Sequence, residues 1–521
     1  MVVNGARAEV ETSIDRKSYS LGNDLTARSG SVADVLRNIP SVQVDAQGEP
    51  SLQGEGDVTV LVDGRPSAQF RGQSLGQALQ AMPADRIDRI EVMTNPPAEF
   101  QAAGTGGIIN LITRRAKGAG WTGSARLSAE TPDRASATVY LGYNSGKLSL
   151  TGDLTYRRAR LSETDTVVRG RPSPGAGSPI DSRDVGGVRK TNGYWQAHAG
   201  ADYDMDSRTR ISGSAQFHTN RYRSLYVDRF VLDDASGAPI SALDRTGPER
   251  WFHNAGDASL SWRRTYGEGH DLTFSAAASA SEIHNDRLDV LAPAAPSGQA
   301  PFTQQFIWTI LAKQARFTAD YERPLHGGKL KLGYAFEDAP SRIDQMAGVG
   351  AAGRPVTLDP GQRDVFVDNE TDNAAYGSYE RRSGKVTLLA GLRAENARLD
   401  LDQQTQGVRG VHDYGRLFPN LHLAYDLGEG RQLSANHTWR TNRPSERQLD
   451  PFVTSQTPLY RQSGNPNLRP DDQSRYELGF EDQRGDSATA LTLYYHHRAH
   501  AFSRLYSNLP NGVLLEETIN A

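Results

Sequence analysis

Three histidines near the end of the chain, His496, His497 and His500, are the closest the sequence comes to a metal-binding cluster. They follow an alternating segment, and on a strand His496 and His497 point to opposite faces, so they do not converge on one ion. The pattern predicts solvated histidines at a strand end and no metal site. Gly104-Thr105-Gly106-Gly107 has the glycine density of a phosphate cradle. It lacks the lysine of such a loop and leads into Ile108-Ile109-Asn110-Leu111-Ile112, which reads as a strand rather than a helix, so a turn is expected. The chain has no cysteine, which removes disulfides, thiolate metal sites and cysteine nucleophiles and is compatible with an oxidising envelope compartment. No catalytic constellation stands out; no enzyme and no cofactor are expected.

At 521 residues the chain is too long for one ordinary domain of ~100–200 residues. A net charge of -4 and a pI near 6.3 give no basic field for a phosphate backbone, which argues against nucleic acid. Hydrophobic residues make up 37% and the mean hydropathy is -0.59, while no stretch reaches the ~18 apolar residues of a membrane helix. A transmembrane β-barrel escapes that exclusion, because only every second residue of each strand meets lipid and its loops are polar. The choice is therefore between a soluble β protein and a barrel.

The stretch from Asp57 to Arg115 organises the chain. Val58, Val60 and Val62 alternate in a strand that stops at Asp63-Gly64-Arg65-Pro66. Leu75, Ala78, Leu79 and Met82 recur at helical spacing until Pro83, a short helical turn follows at Ala84 to Ile87, and Ile90 and Val92 begin another strand. Upstream, Val32, Val35, Leu36 and Ile39 predict a helix with Ser31 as N-cap and Asp34 at N3. Val42 and Val44 then predict a short hairpin. Residues 1–30 read as an extended polar lead-in and 31–117 as a small α/β module. From 118 onward the period becomes two: Trp121 opens one strand and seven hairpins follow, about fifteen strands in all. Long polar segments, such as Arg158 to Gly193, Thr219 to Asp257 and Asp338 to Asp372, read as loops alternating with tight turns. That asymmetry belongs to outer-membrane barrels. Tyr143, Tyr156, Trp195, Tyr203, Phe217, Tyr334 and Trp439 sit at strand ends, where an interfacial girdle would need them.

LVDGRP, then RIEV, then GTGGIINLITRR together resemble the plug domain of TonB-dependent outer-membrane receptors, in the branch whose barrel belongs to the outer-membrane β-barrel protein family. Gly464-Asn465-Pro466-Asn467-Leu468-Arg469-Pro470 resembles a motif of that family's distal barrel. The resemblance implies a fold in which an N-terminal α/β plug sits inside a transmembrane antiparallel barrel of about 22 strands, of which about 15–16 are present here, the chain entering another strand at Ile519-Asn520. It implies a monomer in a Gram-negative outer membrane, surrounded by lipid, lacking its export signal in this sequence, and importing a siderophore-iron or glycan solute with TonB as energiser. Val2 and Val3 resemble only the tail of a TonB box. Plug apices facing a small-molecule or oligosaccharide ligand would carry Gln53, Glu55, Gln69, Phe70, Arg71 and Asp85. A plug–barrel lock is expected among Arg89, Glu91, Arg475 and Glu477, with Arg89 paired to Glu477. The rival readings are a soluble or surface β-rich adhesin and an outer-membrane barrel enzyme.

Overall fold

The computed structural model describes residues 10–521 apart from 23–26, 28–29, 71–74, 105, 115–118, 131–132, 172–179, 235, 295–298, 458–459, 485–486 and 510–512. Its N-terminal part holds strands β1 (Val10–Thr12), β2 (Lys17–Ser20), β3 (Val42–Val44), β4 (Pro50–Leu52), β5 (Val58–Val62), β6 (Arg65–Pro66), β7 (Ile87–Met93) and β8 (Gly107–Thr113). Six of them form a sheet in the order β1-β2-β7-β8-β5-β6, parallel only between β5 and β8; β3 and β4 form a separate hairpin. Helices Val32–Leu36 and Leu75–Ala81 complete the module. Ser31 caps the first in a capping box: Asp34 N donates to its Oγ at 3.3 Å and its own N donates to Asp34 Oδ2 at 2.9 Å.

Helix and sheet bury one apolar cluster that includes Leu36, Leu79, Met82, Ile87, Ile90, Ile109 and Leu111. Gly107 sits where β7 and β8 close on each other: its φ is +101°, and a Cβ there would lie 2.7 Å from Met93 O. The segment read as a lead-in is part of this module, because β1 and β2 extend the sheet on β7. Within β2 itself Tyr19 is the one apolar side chain turned inward; it is buried opposite Ile90 among Lys17, Ser18 and Ser20, too sparse a signal for a strand.

Residues 120–499 build a fifteen-stranded antiparallel sheet from Gly120–Glu130 at one edge to Ser487–Ala499 at the other. Neighbours in sequence are neighbours in space except that Arg431–Asn442 pairs with Asp471–Arg484. The outward face near the tight turns is apolar, with Leu141, Leu260, Leu332, Leu421, Leu478 and Leu493 exposed. Aromatic contacts flank that band: Trp121 with Tyr143 at 4.9 Å and Tyr156 with Trp195 at 4.4 Å between ring centroids. The inward face is polar and surrounds the N-terminal module.

The segments read as long loops are mostly strand. Leu148–Arg171 has 24 residues, Ile180–Asp206 has 27 and Pro239–Gly267 has 29, against the ~9–11 that a bilayer requires. The ladder continues beyond the apolar band, where water wets the outer face and the apolar alternation no longer marks a strand. Ile519 and Asn520 do lie in a strand, Leu514–Asn520, but it belongs to a small four-stranded sheet with Phe502–Asn508, Tyr460–Ser463 and Thr454–Thr457.

Leu478 stands at mid-strand on the outward face, 58% exposed. The Leu478→Arg variant should lose about 2–4 kcal/mol of stability in lipid, read as a lower denaturant midpoint for vesicle-embedded protein. An unchanged midpoint would mean that this face does not meet hydrocarbon.

Candidate functional site

The plug is held to the wall by polar contacts, and these fix where the expected site residues point. Glu477 Oε2 accepts from Gln53 Nε2 at 2.9 Å, Thr94 Oγ1 at 3.0 Å and Asn95 Nδ2 at 3.0 Å. Arg475 Nη2 donates to Gln53 Oε1 at 3.0 Å. Arg89 is not the partner of Glu477; it pairs within its own strand with Glu91 at 2.9 Å. Glu91 is buried between Asn110 and Arg16, the Asn110 bond being 2.9 Å. Strand periodicity gives a residue its face but not the angle at which a plug sits in its barrel, so Arg89 and Glu477 could be matched in charge and still be apart.

The apical residues divide in the same way. Glu55 meets the wall: its Oε1 lies 3.2 Å from both His496 Nδ1 and Gln473 Nε2, and Arg498 is 3.7 Å from Oε2. The His496 hydrogen bond holds the Glu55 carboxyl below its usual range. His496 is therefore a plug contact, not a solvated strand-end residue, while His497 faces outward. Asp85 takes a 2.6 Å bond from Arg126 Nη1, although burial pushes its carboxyl up. Gln69 is buried, not ligand-facing, and Phe70 packs against the plug core; a short 3-10 helix, Ala68–Phe70, turns both inward. Arg71, Val2 and Val3 lie outside the described residues.

Two arginines that the sequence reading passed over matter more. Arg440, 3% exposed, donates to the carbonyls of Gly104 at 2.6 Å, Ala103 at 2.7 Å and Gln101 at 3.1 Å. The inward–outward alternation of Thr438, Trp439 and Arg440 carried that signal. Arg443 donates to Glu370 at 2.5 Å and to Glu395 Oε2 at 2.7 Å. Glu395 Oε1 in turn accepts from the plug backbone at Ala102 N, 3.1 Å away. One carboxylate thus joins the plug to the segment that follows Asn442.

That segment folds back against the inner wall. Its short helix Glu446–Leu449 and Leu468 insert Leu449 and Leu468 among Ile310, Ile343, Phe366, Leu399 and Leu401. Between it and the wall is a cavity of about 280 Å³, lined by rings of Trp251, Phe306, Trp308 and Phe452 with Arg287 and Arg447 among them. The Arg447 guanidinium lies 4.7 Å from the Trp308 ring centroid and Arg287 5.1 Å from that of Phe306. Aromatic walls with a few converging polar groups are features that small-molecule sites share.

A plug domain inside an outer-membrane wall defines a class of receptor, and comparison with known proteins agrees. Residues 12–108 match the TonB-dependent Receptor Plug Domain and 264–521 the Outer membrane protein beta-barrel family. This chain belongs to the TonB-dependent outer-membrane receptors, a family of receptors rather than enzymes. The rhizobactin receptor of Rhizobium meliloti is 30% identical over 177 residues, 30% of this chain and 24% of that protein. The iron-regulated outer membrane virulence protein of Vibrio cholerae is 34% identical over 108 residues, 19% and 16% of the two chains. The alignments thus span about a quarter or less of these curated relatives. Among solved structures, a mutant ferric enterobactin receptor of Pseudomonas aeruginosa in complex with enterobactin superimposes with a TM-score of 0.61 at 15% identity, over 98% of this chain and 77% of that one. A P. aeruginosa receptor bound to a ferric pyoverdine gives 0.66 at 14%, over 98% and 67%. These likenesses show the fold.

Arg440→Ala leaves three plug carbonyls without their donor, at about 1–3 kcal/mol for each buried group left unsatisfied. Cells carrying this variant should admit vancomycin at concentrations the unmodified receptor excludes. Equal resistance, with equal amounts of protein in the outer membrane, would show that Arg440 does not retain the plug.

Proposed function

We propose that this receptor imports a scarce iron chelate: the solute seats in the outer-mouth cavity, and TonB, pulling on the N-terminal segment, remodels the plug to open a path. The observation that carries the reading is the chain Arg443–Glu395–Ala102 N, which couples the segment covering the cavity to the plug. An event at the mouth that shifts Arg443 changes the charge balance on Glu395 and with it a plug contact. The inner side offers the mechanical counterpart. β1 is the edge strand of the plug sheet and holds β2 through a ladder of only three residue pairs, Val10↔Tyr19 to Thr12↔Lys17. A pull from the N-terminus meets that short ladder before any core strand.

Iron is favoured as cargo because the curated relatives include a rhizobactin receptor, a ferric enterobactin receptor and an iron-regulated protein. Aromatic rings beside guanidinium groups suit a bulky anionic chelate. A neutral glycan would also stack on rings but gains less from a guanidinium than an anion does.

Uptake of radiolabelled iron as ferric enterobactin and as ferric citrate tests this in cells expressing the natural full-length protein. Uptake of at least one probe should disappear when TonB is deleted. Trp308→Ala should raise the half-saturating concentration about tenfold or more, as for a central aromatic anchor. Glu395→Gln should bind the probe as before and import it more slowly. Uptake that is indifferent to TonB, or absent for both chelates, would overturn the reading.

A further inference from the structure

The segment covering the mouth cavity rests on two carboxyl groups that face each other. Asp364, on wall strand Thr357–Ser383, is fully buried, and Asp450, which ends the helix Glu446–Leu449, is 5% exposed. Gln403 Nε2 donates to Asp450 Oδ1 at 2.9 Å and also to Asp364 Oδ1. Gln345 Nε2 donates to Asp364 Oδ2 at 2.7 Å, and Phe452 N donates to Asp450 Oδ1 at 3.1 Å. Among the described residues no arginine or lysine lies within ion-pair distance of either group. Two ionised carboxylates so placed repel, whereas one proton between them turns the repulsion into a hydrogen bond.

We propose that a proton shared between Asp364 and Asp450 holds residues 443–454 down as a lid over the mouth cavity, and that the lid carries Arg447 to meet an anionic group of the solute. The second half rests on the uptake reading above; the first does not. Arg447 projects from the lid helix over Trp308; among the described residues no carboxylate lies within ion-pair distance of it, and the charges it feels, Glu446 and Asp450, are on the lid itself.

Of the other charges facing this pair, Arg447 on the lid favours the ionised form of Asp450, and the rest act in the direction of the proton or are already matched. Glu446 on the lid faces Asp368 on the wall, a second carboxyl pair that repels once ionised. Glu370 is taken by Arg443 at the root of the lid, and Arg287 across the cavity by Asp289 at 3.0 Å. Glu249 opposite is bonded to Tyr226 and Asn285. Burial first, and the neighbouring Asp364 second, push the Asp450 carboxyl up to about 7. The closed lid therefore holds a proton that an open lid, with an ordinary carboxyl near ~4, would release. The proton's contribution to closure is fully present below the ordinary carboxyl range and is lost as the pH rises through about 7, leaving the burial of Leu449 to hold the lid. Arg443 does not titrate, so the lid pivots at that residue.

These 521 residues contain no cysteine, so paired labels can be placed cleanly in them. The full chain carrying Val453→Cys and Gln406→Cys, spin-labelled in lipid vesicles, should show one short distance at pH 5.5 and a longer, broader distribution at pH 8.5. Asp450→Asn should keep the short distance at both values, and Asp364→Asn should do the same should the first variant fold poorly. A native distribution identical at the two pH values, or an Asn variant that still opens, would overturn the lid. Salicylate serves as the anionic probe through quenching of tryptophan fluorescence at pH 5.5. Arg447→Gln should weaken it about tenfold or more with the lid distance unchanged. Equal affinity would overturn the role of Arg447, and neither arm depends on whether iron is imported.

Discussion

A body that fills a water-lined lumen cannot be held there by apolar burial, and the rest of this structure follows from that constraint. The wall must turn its apolar face to lipid and its polar face inward, since backbone groups are paired along the ladder and only side chains differ between the two environments. The plug keeps its own small apolar core, Leu36, Leu79, Ile90 and their neighbours, and meets the wall chiefly through hydrogen bonds and ion pairs, with a small apolar contact where Ala98 packs on Ala335, Ala374 and Tyr376. Where a charged group is buried at that boundary it is surrounded by partners: three donors on Glu477, three carbonyls on Arg440. Removing one side of such a contact is far more costly than forming it is favourable, because the remaining group is stranded away from water.

Such a boundary is firm at rest and separable under load. A hydrogen bond exchanged for water on opening returns most of its energy to the solvent, whereas an apolar interface would expose its full area. Cavities along the plug margin already bring solvent-sized space to this boundary. One of about 360 Å³ lies beside the Asp63-Gly64-Arg65 turn, where Glu99 and Lys331 pair at 2.7 Å across the gap. Contacts of this kind can be replaced in turn as the plug moves, without the plug core coming apart.

The amino-acid pattern made much of this legible, and the boundary between what it showed and what it hid is physical. Within the lipid band, Leu148, Leu150, Leu154 and Tyr156 alternate against Ser149, Thr151, Asp153 and Arg157, because two different solvents act on the two faces. Above the band, Tyr222 still pairs with Trp251 and Arg223 with Arg250, yet water wets both sides and the period-two signal is lost, so the pattern there resembles that of a polar loop. The plug elements were legible for the same reason that the lower strands were: each has one apolar face. The contacts between plug and wall were not. Any inward polar residue of fifteen strands is a chemically acceptable partner for Arg89, and only the docking angle chooses among them. Gln69 failed differently, since a polar residue in an exposed-looking turn gives no sign that its 3-10 helix rolls it inward.

The mouth shows the same logic with the sign reversed. Around Asp364 and Asp450 the wall supplies two glutamine amides and no cation, whereas Asp372, eight residues along the same strand from Asp364, shares Arg443 with Glu395 on the next strand, and Glu395 also has Arg393 at 2.5 Å. Neighbouring carboxylates on one surface are thus treated in two ways. Those compensated by arginine are held by ion pairs, and they include the link to the plug. Those compensated only by a proton are fixed only while the proton is present. A lid rooted in the first kind and resting on the second can open without breaking the connection that carries its position to the plug.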